Sequence, residues 1–180
     1  MCGIVGYVGK NQAPSILIDG LGKLEYRGYD SAGIAVFDGN EINIAKTKGR
    51  LSNLIKLLLE NPLSGTIGIG HTRWATHGAP SDTNSHPHIS EDHKIAVVHN
   101  GIIENYMDIK EELLKEGYHF LSETDTETIA HLIDYYYKES MDFEDSVFKA
   151  VSRLEGSYAL GIICKDSPDE LIAVRKGSPL

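Results

Sequence analysis

The chain opens with Met1-Cys2-Gly3-Ile4-Val5-Gly6-Tyr7-Val8, and this stretch predicts where the fold begins. A cysteine directly behind the initiator methionine becomes the N-terminal residue once Met1 is removed, and it then carries a thiol and a free α-amine. That amine has a pKa of about 7.7–8.0, so near neutral pH part of it is unprotonated and accepts the thiol proton. The apolar run 4–8 predicts a strand that holds this terminus in a sheet. The alternative is a small second residue with no chemical role.

Bulk composition indicates one globular domain: 180 residues, 41% hydrophobic and 24% charged. A formal net charge of −9 argues against a nucleic-acid partner, because proteins that bind nucleic acids usually present a basic surface. The two cysteines, Cys2 and Cys164, are far apart and define neither a disulfide framework nor a thiolate metal site. With no secretory leader and no 18-residue apolar stretch, the sequence predicts a cytoplasmic protein without a membrane partner.

Hydrophobic spacing predicts an α+β fold. The predicted helices cover 14–26, 51–60, 105–116, 126–137 and 143–154, and the predicted strands cover 4–8, 34–37, 41–44, 66–70, 95–98, 158–164 and 171–174. The turn Asp38-Gly39-Asn40 predicts a β-hairpin, and 73–87 is a long loop of the kind that carries function. Strands at both ends with helices between them favour two antiparallel sheets with helices packed outside.

Polar residues follow two of these strands. Asn100-Gly101 comes after a buried strand, and its side-chain amide and backbone N–H are suited to an oxyanion hole. The alternative is a hairpin turn, for which Asn-Gly is the strongest short signal. Arg73 carries a planar fork that matches a carboxylate, although a surface ion pair explains it equally well.

Asp125 stands at a predicted helix start, where Thr124 and Glu127 have the spacing of a capping box. A capping role is the default for this aspartate, and binding of a ligand ammonium is the functional alternative. A thiol nucleophile, an oxyanion hole, a carboxylate clamp and an ammonium acceptor together describe a site for an amino acid with a distal carbonyl. Glutamine fits that description.

Six of the eight histidines lie between His71 and His99, and His86-Pro87-His88 suggests zinc because neutral imidazoles bind that metal. The cluster lacks helical H-E-x-x-H spacing and cysteine partners, so we predict no metal site and no cofactor. Cys164, among apolar neighbours in a predicted strand, is expected to be a buried hydrophobe.

Five motifs closely resemble the N-terminal glutaminase domain of the glutamine–fructose-6-phosphate aminotransferases (isomerizing), the glucosamine-6-phosphate synthases, a branch of the class II glutamine amidotransferases. The motifs are Cys2-Gly3-Ile4-Val5-Gly6, Leu24-Glu25-Tyr26-Arg27-Gly28-Tyr29-Asp30-Ser31-Ala32-Gly33, His71-Thr72-Arg73-Trp74-Ala75-Thr76-His77-Gly78, His99-Asn100-Gly101-Ile102-Ile103-Glu104-Asn105 and Ser122-Glu123-Thr124-Asp125-Thr126-Glu127. The first is shared by the whole class, and the second and third resemble the sugar-phosphate branch specifically.

The resemblance implies a four-layer αββα sandwich of the N-terminal-nucleophile hydrolase type. It also implies the role of each site residue. Cys2 is the nucleophile, Asn100 and Gly101 form the oxyanion hole, Arg73 holds the glutamine α-carboxylate and Asp125 its α-amine. Thr76 and His77 line the same pocket. Trp74 lies on the loop that closes over glutamine and gates ammonia, and Arg27 stands behind the residues that touch substrate.

The implied reaction is hydrolysis of L-glutamine to glutamate and ammonia through a Cys2 thioester. In the full-length enzyme, an expected homodimer, the ammonia converts fructose 6-phosphate to glucosamine 6-phosphate for amino-sugar and cell-envelope precursors. We expect residues 2–180 to be the type 2 amidotransferase domain, shortened at its C-terminal end and without the two sugar isomerase domains that hold fructose 6-phosphate. The rival hypotheses are a glutamine-binding regulatory module without turnover and a histidine-rich metal protein dependent on His86 and His88.

Overall fold

The computed structural model describes residues 2–27, 29–74 and 79–178, with the backbone alone for Arg27. The strands are β1 (Gly3–Val8), β2 (Ser31–Phe37), β3 (Ile42–Lys48), β4 (Ile67–Arg73), β5 (His88–Ile89), β6 (Ile95–Ile103), β7 (Gly156–Cys164) and β8 (Leu171–Lys176). The helices are α1 (Ala13–Leu24), α2 (Leu51–Glu60), α3 (Tyr106–Lys115), α4 (Asp125–Ser140) and α5 (Phe143–Arg153), and a short 3₁₀ turn covers Glu25–Arg27.

The strands form two antiparallel sheets of four strands each. The first has the order β1-β4-β2-β3 and the second β5-β6-β7-β8. Helices α1 and α2 pack on the outer face of the first sheet, and α4 packs on the outer face of the second with α3 and α5 beside it. The four-layer αββα sandwich predicted above is confirmed.

Strand alternation builds three separate layers of core, because neighbouring residues of a strand face opposite sides of its sheet. In β6, Ile95 and Val97 face the helices, whereas Ala96 and Val98 face the other sheet. In β2, Ile34 and Val36 pack with Leu17, Leu21 and Leu54 of the helices above them. Both faces of these central strands are therefore buried, which explains their continuous apolar runs.

The predicted helices and the β2–β3 hairpin are confirmed, with Phe37 paired to Ile42 across the turn. Helix α4 continues to Ser140 and ends where Met141 adopts the left-handed conformation (φ 54°). Strand β4 is longer than predicted and includes Arg73. Among the described residues, no helix has both the length and the apolarity that crossing a membrane requires.

The hairpin-turn alternative for Asn100-Gly101 is wrong, because β6 continues through both residues to Ile103. Asn100 pairs with Ala159 and Gly101 with Tyr158 of β7. Gly101 has φ +122°, and a Cβ at this position would lie 2.1 Å from the carbonyl oxygen of Ser157. The glycine thus permits a close approach of two strands and does not form a turn.

Candidate functional site

Cys2 immediately precedes β1 and lies next to the end of β4, because Gly3 pairs with Thr72. The backbone N–H of Trp74 donates a hydrogen bond to Cys2 Sγ at 3.1 Å, and the thiol lies 3.4 Å from the Trp74 carbonyl oxygen. Burial raises the pKa of the Cys2 thiol, while the Trp74 N–H and the positive charge of Arg73 act in the opposite direction. The Trp74 side chain itself is 53% exposed.

Asn100 connects the two sheets at this point. Its Nδ2 donates to the backbone carbonyl oxygen of Cys2 at 3.4 Å, and its Oδ1 lies 2.8 Å from His71 Nε2. An amide donor on β6 is therefore held at the residue that carries the thiol. Gly101 follows it directly in the strand.

Asp125 is buried at the first position of α4. Its Oδ2 accepts a hydrogen bond from the backbone N–H of Ile103 at 2.9 Å, and its Oδ1 lies 3.7 Å from His99 Nδ1. Asp125 therefore does accept a backbone amide, but the amide belongs to β6. The carboxylate is directed at the strand that carries Asn100 and Gly101.

The cap of α4 is Thr124, whose hydroxyl accepts from the Glu127 N–H. Glu127 accepts from the N–H groups of Leu121 and Ser122. Only half of the predicted capping box is thus present, because the Glu127 carboxylate reaches beyond the N-cap residue into the preceding loop. Burial raises the pKa of Glu127, but these hydrogen bonds and the nearby His131, whose Nε2 lies 3.7 Å from Oε1, lower it to about 2.

Arg73 ends β4 and is 3% exposed, which contradicts the surface ion pair considered above. Its Nη1 lies 3.9 Å from Asp30 Oδ1, and its carbonyl oxygen accepts from the Asp30 N–H at 2.7 Å. The guanidinium is therefore buried close to Asp30, where water screens its charge only weakly. Three residues predicted for the site fall outside what the structure describes: Thr76, His77 and the side chain of Arg27.

Buried histidines form a cluster behind Asn100, and nothing in the sequence indicated their role in the site. His71 and His86 stack with ring centroids 4.3 Å apart, and His86 and His88 meet edge to face at 4.9 Å. His86 Nε2 and His99 Nδ1 lie 2.7 and 2.9 Å from the hydroxyl of Thr126. The cluster forms a continuous path from Asn100 to the first turn of α4.

Burial determines the charge of this cluster. It lowers the pKa of His71 to about 3, with the Asn100 hydrogen bond acting in the opposite direction. Burial also lowers the pKa of His86 and of His88 well below the ordinary value; the neighbouring imidazoles and Arg73 add to this effect at His86, and Lys46 adds to it at His88 while Glu127 opposes it. These three imidazoles are therefore neutral at physiological pH.

The segment 79–88 is held against the first sheet by Lys46. Its ammonium donates to the carbonyl oxygens of Ser85, Pro87 and Thr83 at 2.8, 3.1 and 3.2 Å. Burial lowers the pKa of Lys46 to about 8. A lysine in a strand gives no sequence signal for this role, since its acceptors are backbone atoms nearly forty positions away.

Within the described ranges, no three metal-ligating side chains are arranged to hold an ion. His86 and His88, the residues of the zinc alternative, direct their Nε2 atoms at the hydroxyls of Thr126 and Thr124. Their arrangement is that of hydrogen-bonded buried histidines.

The chemistry available at this edge of the sandwich is a thiol with an N–H donor on its sulfur, an amide donor beside it, a buried carboxylate and a buried guanidinium. The latter two charges suit the ammonium and the carboxylate of an amino acid. The thiol and the amide suit attack on a carbonyl and stabilisation of the resulting oxyanion.

Comparison with known proteins agrees with this geometry. A family profile described as a glutamine amidotransferase domain matches residues 71–178. Glutamine–fructose-6-phosphate aminotransferase (isomerizing) from Clostridium perfringens is 62% identical over all 180 residues, and that from Pyrococcus horikoshii is 53% identical. The chain spans 29% and 30% of the lengths of these two relatives.

Solved structures share the architecture. A glutamine phosphoribosylpyrophosphate amidotransferase from B. subtilis superimposes with a TM-score of 0.76 at 30% identity, over 92% of this chain and 35% of that one. A glutamine aminotransferase class-II domain protein from Silicibacter pomeroyi has a TM-score of 0.53 at 17% identity, over 83% of this chain and 71% of that one. The first likeness is strong in fold and sequence, whereas the second concerns the fold alone.

Proposed function

Because the chain belongs to the glutamine amidotransferase domain family, we propose that it hydrolyses L-glutamine to glutamate and ammonia through a thioester on Cys2. The observation that carries this proposal is the meeting of the two sheets at Cys2. There the Trp74 N–H donates to the thiol, and Asn100 of the other sheet donates to the Cys2 carbonyl oxygen. The proposed nucleophile and the proposed oxyanion donor thus meet where the edge strand of the first sheet approaches β6 of the second.

The proposed first step is attack of Cys2 Sγ on the side-chain amide carbon of glutamine. Once Met1 is removed, the α-amine of Cys2 takes the thiol proton and later gives it to the departing ammonia. The oxyanion of the tetrahedral intermediate accepts hydrogen bonds from Asn100 Nδ2 and the Gly101 N–H. Collapse breaks the carbon–nitrogen bond, and water then cleaves the thioester to release glutamate and restore the thiol.

The two buried charges are proposed to hold the other end of the substrate. Arg73 would bind the α-carboxylate through its planar fork, and Asp125 would accept the α-ammonium. Thr76 and His77 are proposed to complete this pocket, Arg27 to support it from behind, and Trp74 to cover it. The low exposure of Arg73 and Asp125, 3% and 4%, supports ionic contacts that water screens weakly.

Two measurements, each made on the processed and on the unprocessed protein, test the proposal. Intact mass determines whether Met1 has been removed, and an enzyme-coupled assay measures glutamate release from glutamine. We expect turnover only from the processed form, because a retained methionine separates the amine from the thiol. Equal rates for the two forms would refute the role of the amine.

The rival hypothesis of a binding module without turnover predicts a different result for the same sample. It predicts saturable glutamine binding by calorimetry and no glutamate release from the processed protein. Our proposal requires release, and it requires Cys2→Ala to lose release while it still binds glutamine.

We also propose that residues 2–180 act as the ammonia-producing part of a longer glutamine–fructose-6-phosphate aminotransferase. The support is the 62% identity to a relative with that name, of which this chain spans 29%. Fructose 6-phosphate would bind outside this chain, so the chain alone should form no glucosamine 6-phosphate. Homodimer formation by the longer protein and its cytoplasmic location stay predictions.

A further inference from the structure

We propose that His71 is a positioning residue that orients the side-chain amide of Asn100, so that its NH₂ group and not its oxygen faces the Cys2 end of the site. This inference rests on the function proposed above, in which Asn100 donates to the oxyanion. It assigns a role to a buried side chain that does not contact the thiol.

The need for such a residue follows from the chemistry of an amide. The two ends of an asparagine side chain have nearly the same shape but opposite hydrogen-bonding capacity. With its NH₂ toward the site, Asn100 stabilises an oxyanion, but with its oxygen toward the site it repels one. Rotation by half a turn about the last side-chain bond exchanges the two states. A hydrogen bond on the side of the amide that faces away from the site must therefore fix its orientation.

His71 provides this constraint. Its Nε2 lies 2.8 Å from Asn100 Oδ1, while Asn100 Nδ2 donates to the Cys2 carbonyl oxygen on the other side. An amide oxygen only accepts hydrogen bonds, so Nε2 must carry the proton of the neutral imidazole. Reversing the amide would put an N–H group against the Nε2–H and lose both hydrogen bonds.

The environment of His71 keeps this donor constant. The side chain is fully buried, and burial lowers the pKa to about 3, so the ring remains neutral through the physiological range. His86 stacks on the ring at 4.3 Å. The ring therefore stays neutral and packed against His86, and the hydrogen bond to Asn100 Oδ1 is what favours the Nε2–H tautomer.

The first test leaves the protein unaltered. Nitrogen-detected NMR of the histidine side chains in the native protein should show His71 as the Nε2–H tautomer, unchanged from about pH 5 to about pH 8 since the pKa lies far below this range. An Nδ1–H tautomer would overturn the proposal. This measurement does not depend on turnover, so it remains informative even if the proposed glutaminase activity is absent.

The second test is a double-mutant cycle with Asn100. His71→Leu, which has no donor, should lower kcat by about 10-fold or more, up to the roughly 10²–10³-fold loss typical of a missing oxyanion donor, with little change in KM. His71→Gln, which keeps an N–H donor, should recover much of the loss. In an Asn100→Ala background, His71→Leu should have little further effect, because its target is gone. Equal effects in both backgrounds would overturn the proposal.

A matched control separates positioning from general damage to the core. His131 is also a buried histidine, 2% exposed, and its Nε2 contacts the His119 carbonyl oxygen instead of Asn100. His131→Leu should lower thermal stability but leave kcat near that of the parent. If it lowered kcat as much as His71→Leu, loss of core packing would explain both results and the proposal would be overturned.

Discussion

The backbone N–H of Trp74 lies 3.1 Å from the sulfur of Cys2, so a residue whose side chain is half exposed contacts the thiol with its main chain. This hydrogen bond lowers the thiol pKa against the effect of burial, which raises it. The N–H therefore favours the thiolate, the form of cysteine that acts as a nucleophile.

Substitutions at Trp74 should distinguish the effect of its backbone N–H on the thiol pKa from the effect of its side chain. Trp74→Pro removes the N–H and should raise the thiol pKa, so alkylation by iodoacetamide should slow at neutral pH. Trp74→Ala keeps the N–H and should alkylate at close to the parental rate. The rate is measured against pH by mass spectrometry of the Cys2 peptide, and identical pH profiles for the two variants would contradict this role of the N–H.

Asp125→Asn should weaken glutamine binding without unfolding the start of α4. The asparagine oxygen can still accept from the Ile103 N–H, which now bonds the aspartate at 2.9 Å, but the negative charge is lost. A hydrogen bond to a charged group contributes about 1.5–3 kcal/mol, so KM should rise by roughly 10- to 100-fold.

Two measurements on the variant check this prediction: KM from steady-state kinetics and the melting temperature from thermal unfolding. The melting temperature should stay near that of the parent while KM rises. An unchanged KM would argue against an ammonium-binding role, and a large drop in stability would indicate that Asp125 serves mainly the fold.

Gly33→Ala should destabilise the protein, because the Gly33 position in β2 has no room for a side chain. A Cβ there would lie 2.2 Å from the carbonyl oxygen of His86 and 2.6 Å from Lys46 Cβ. Forcing the segment that carries His86 away from the sheet should cost about 1–3 kcal/mol of unfolding free energy. Urea unfolding measures this cost.

Gly22→Ala is the matched control for that substitution. Gly22 lies exposed in α1, and a Cβ there meets only Leu51 Cδ2 at the ordinary distance of 3.8 Å. Alanine is the better helix former, so this variant should gain about 0.5–1 kcal/mol. Destabilisation of similar size at both positions would contradict the close-approach explanation.

The architecture could be predicted because its signals are local. The continuous apolar runs of β2 and β6 and the apolar stripe of α4 identify buried elements from their own residues alone. The extension of β6 past Asn100 could not be predicted in this way. Asn-Gly is a strong local turn signal, and only the approach of Ser157 from a distant strand turns it into a strand position.

In the candidate site, too, residues with a local signal could be predicted, whereas those defined by long-range contacts could not. Cys2, Arg73, Asn100 and Asp125 could be proposed because each carries a reactive or charged group next to the end of a predicted strand or helix. His71 could not be given a role, because its partner is 29 positions away and a histidine cluster in sequence suggests metal binding. The contacts of these rings with Thr126 and Asn100 depend on the packing of the second sheet against the first.

The buried histidines should make the protein sensitive to mild acid. The folded-state pKa of His71 is about 3, below the ordinary value of 6.5. Between these values the unfolded chain binds a proton that the folded chain does not, so the unfolding free energy falls as pH falls. One such histidine lowers the unfolding free energy by about 2 kcal/mol between about pH 7.5 and about pH 5, and His86 and His88 act in the same direction.

Urea unfolding of the parent and of His71→Gln at several pH values isolates the contribution of His71, since the glutamine does not titrate. The variant should lose about 2 kcal/mol less than the parent over this interval. Parallel curves would show that His71 titrates alike in the folded and unfolded states, which would contradict its burial as a neutral ring.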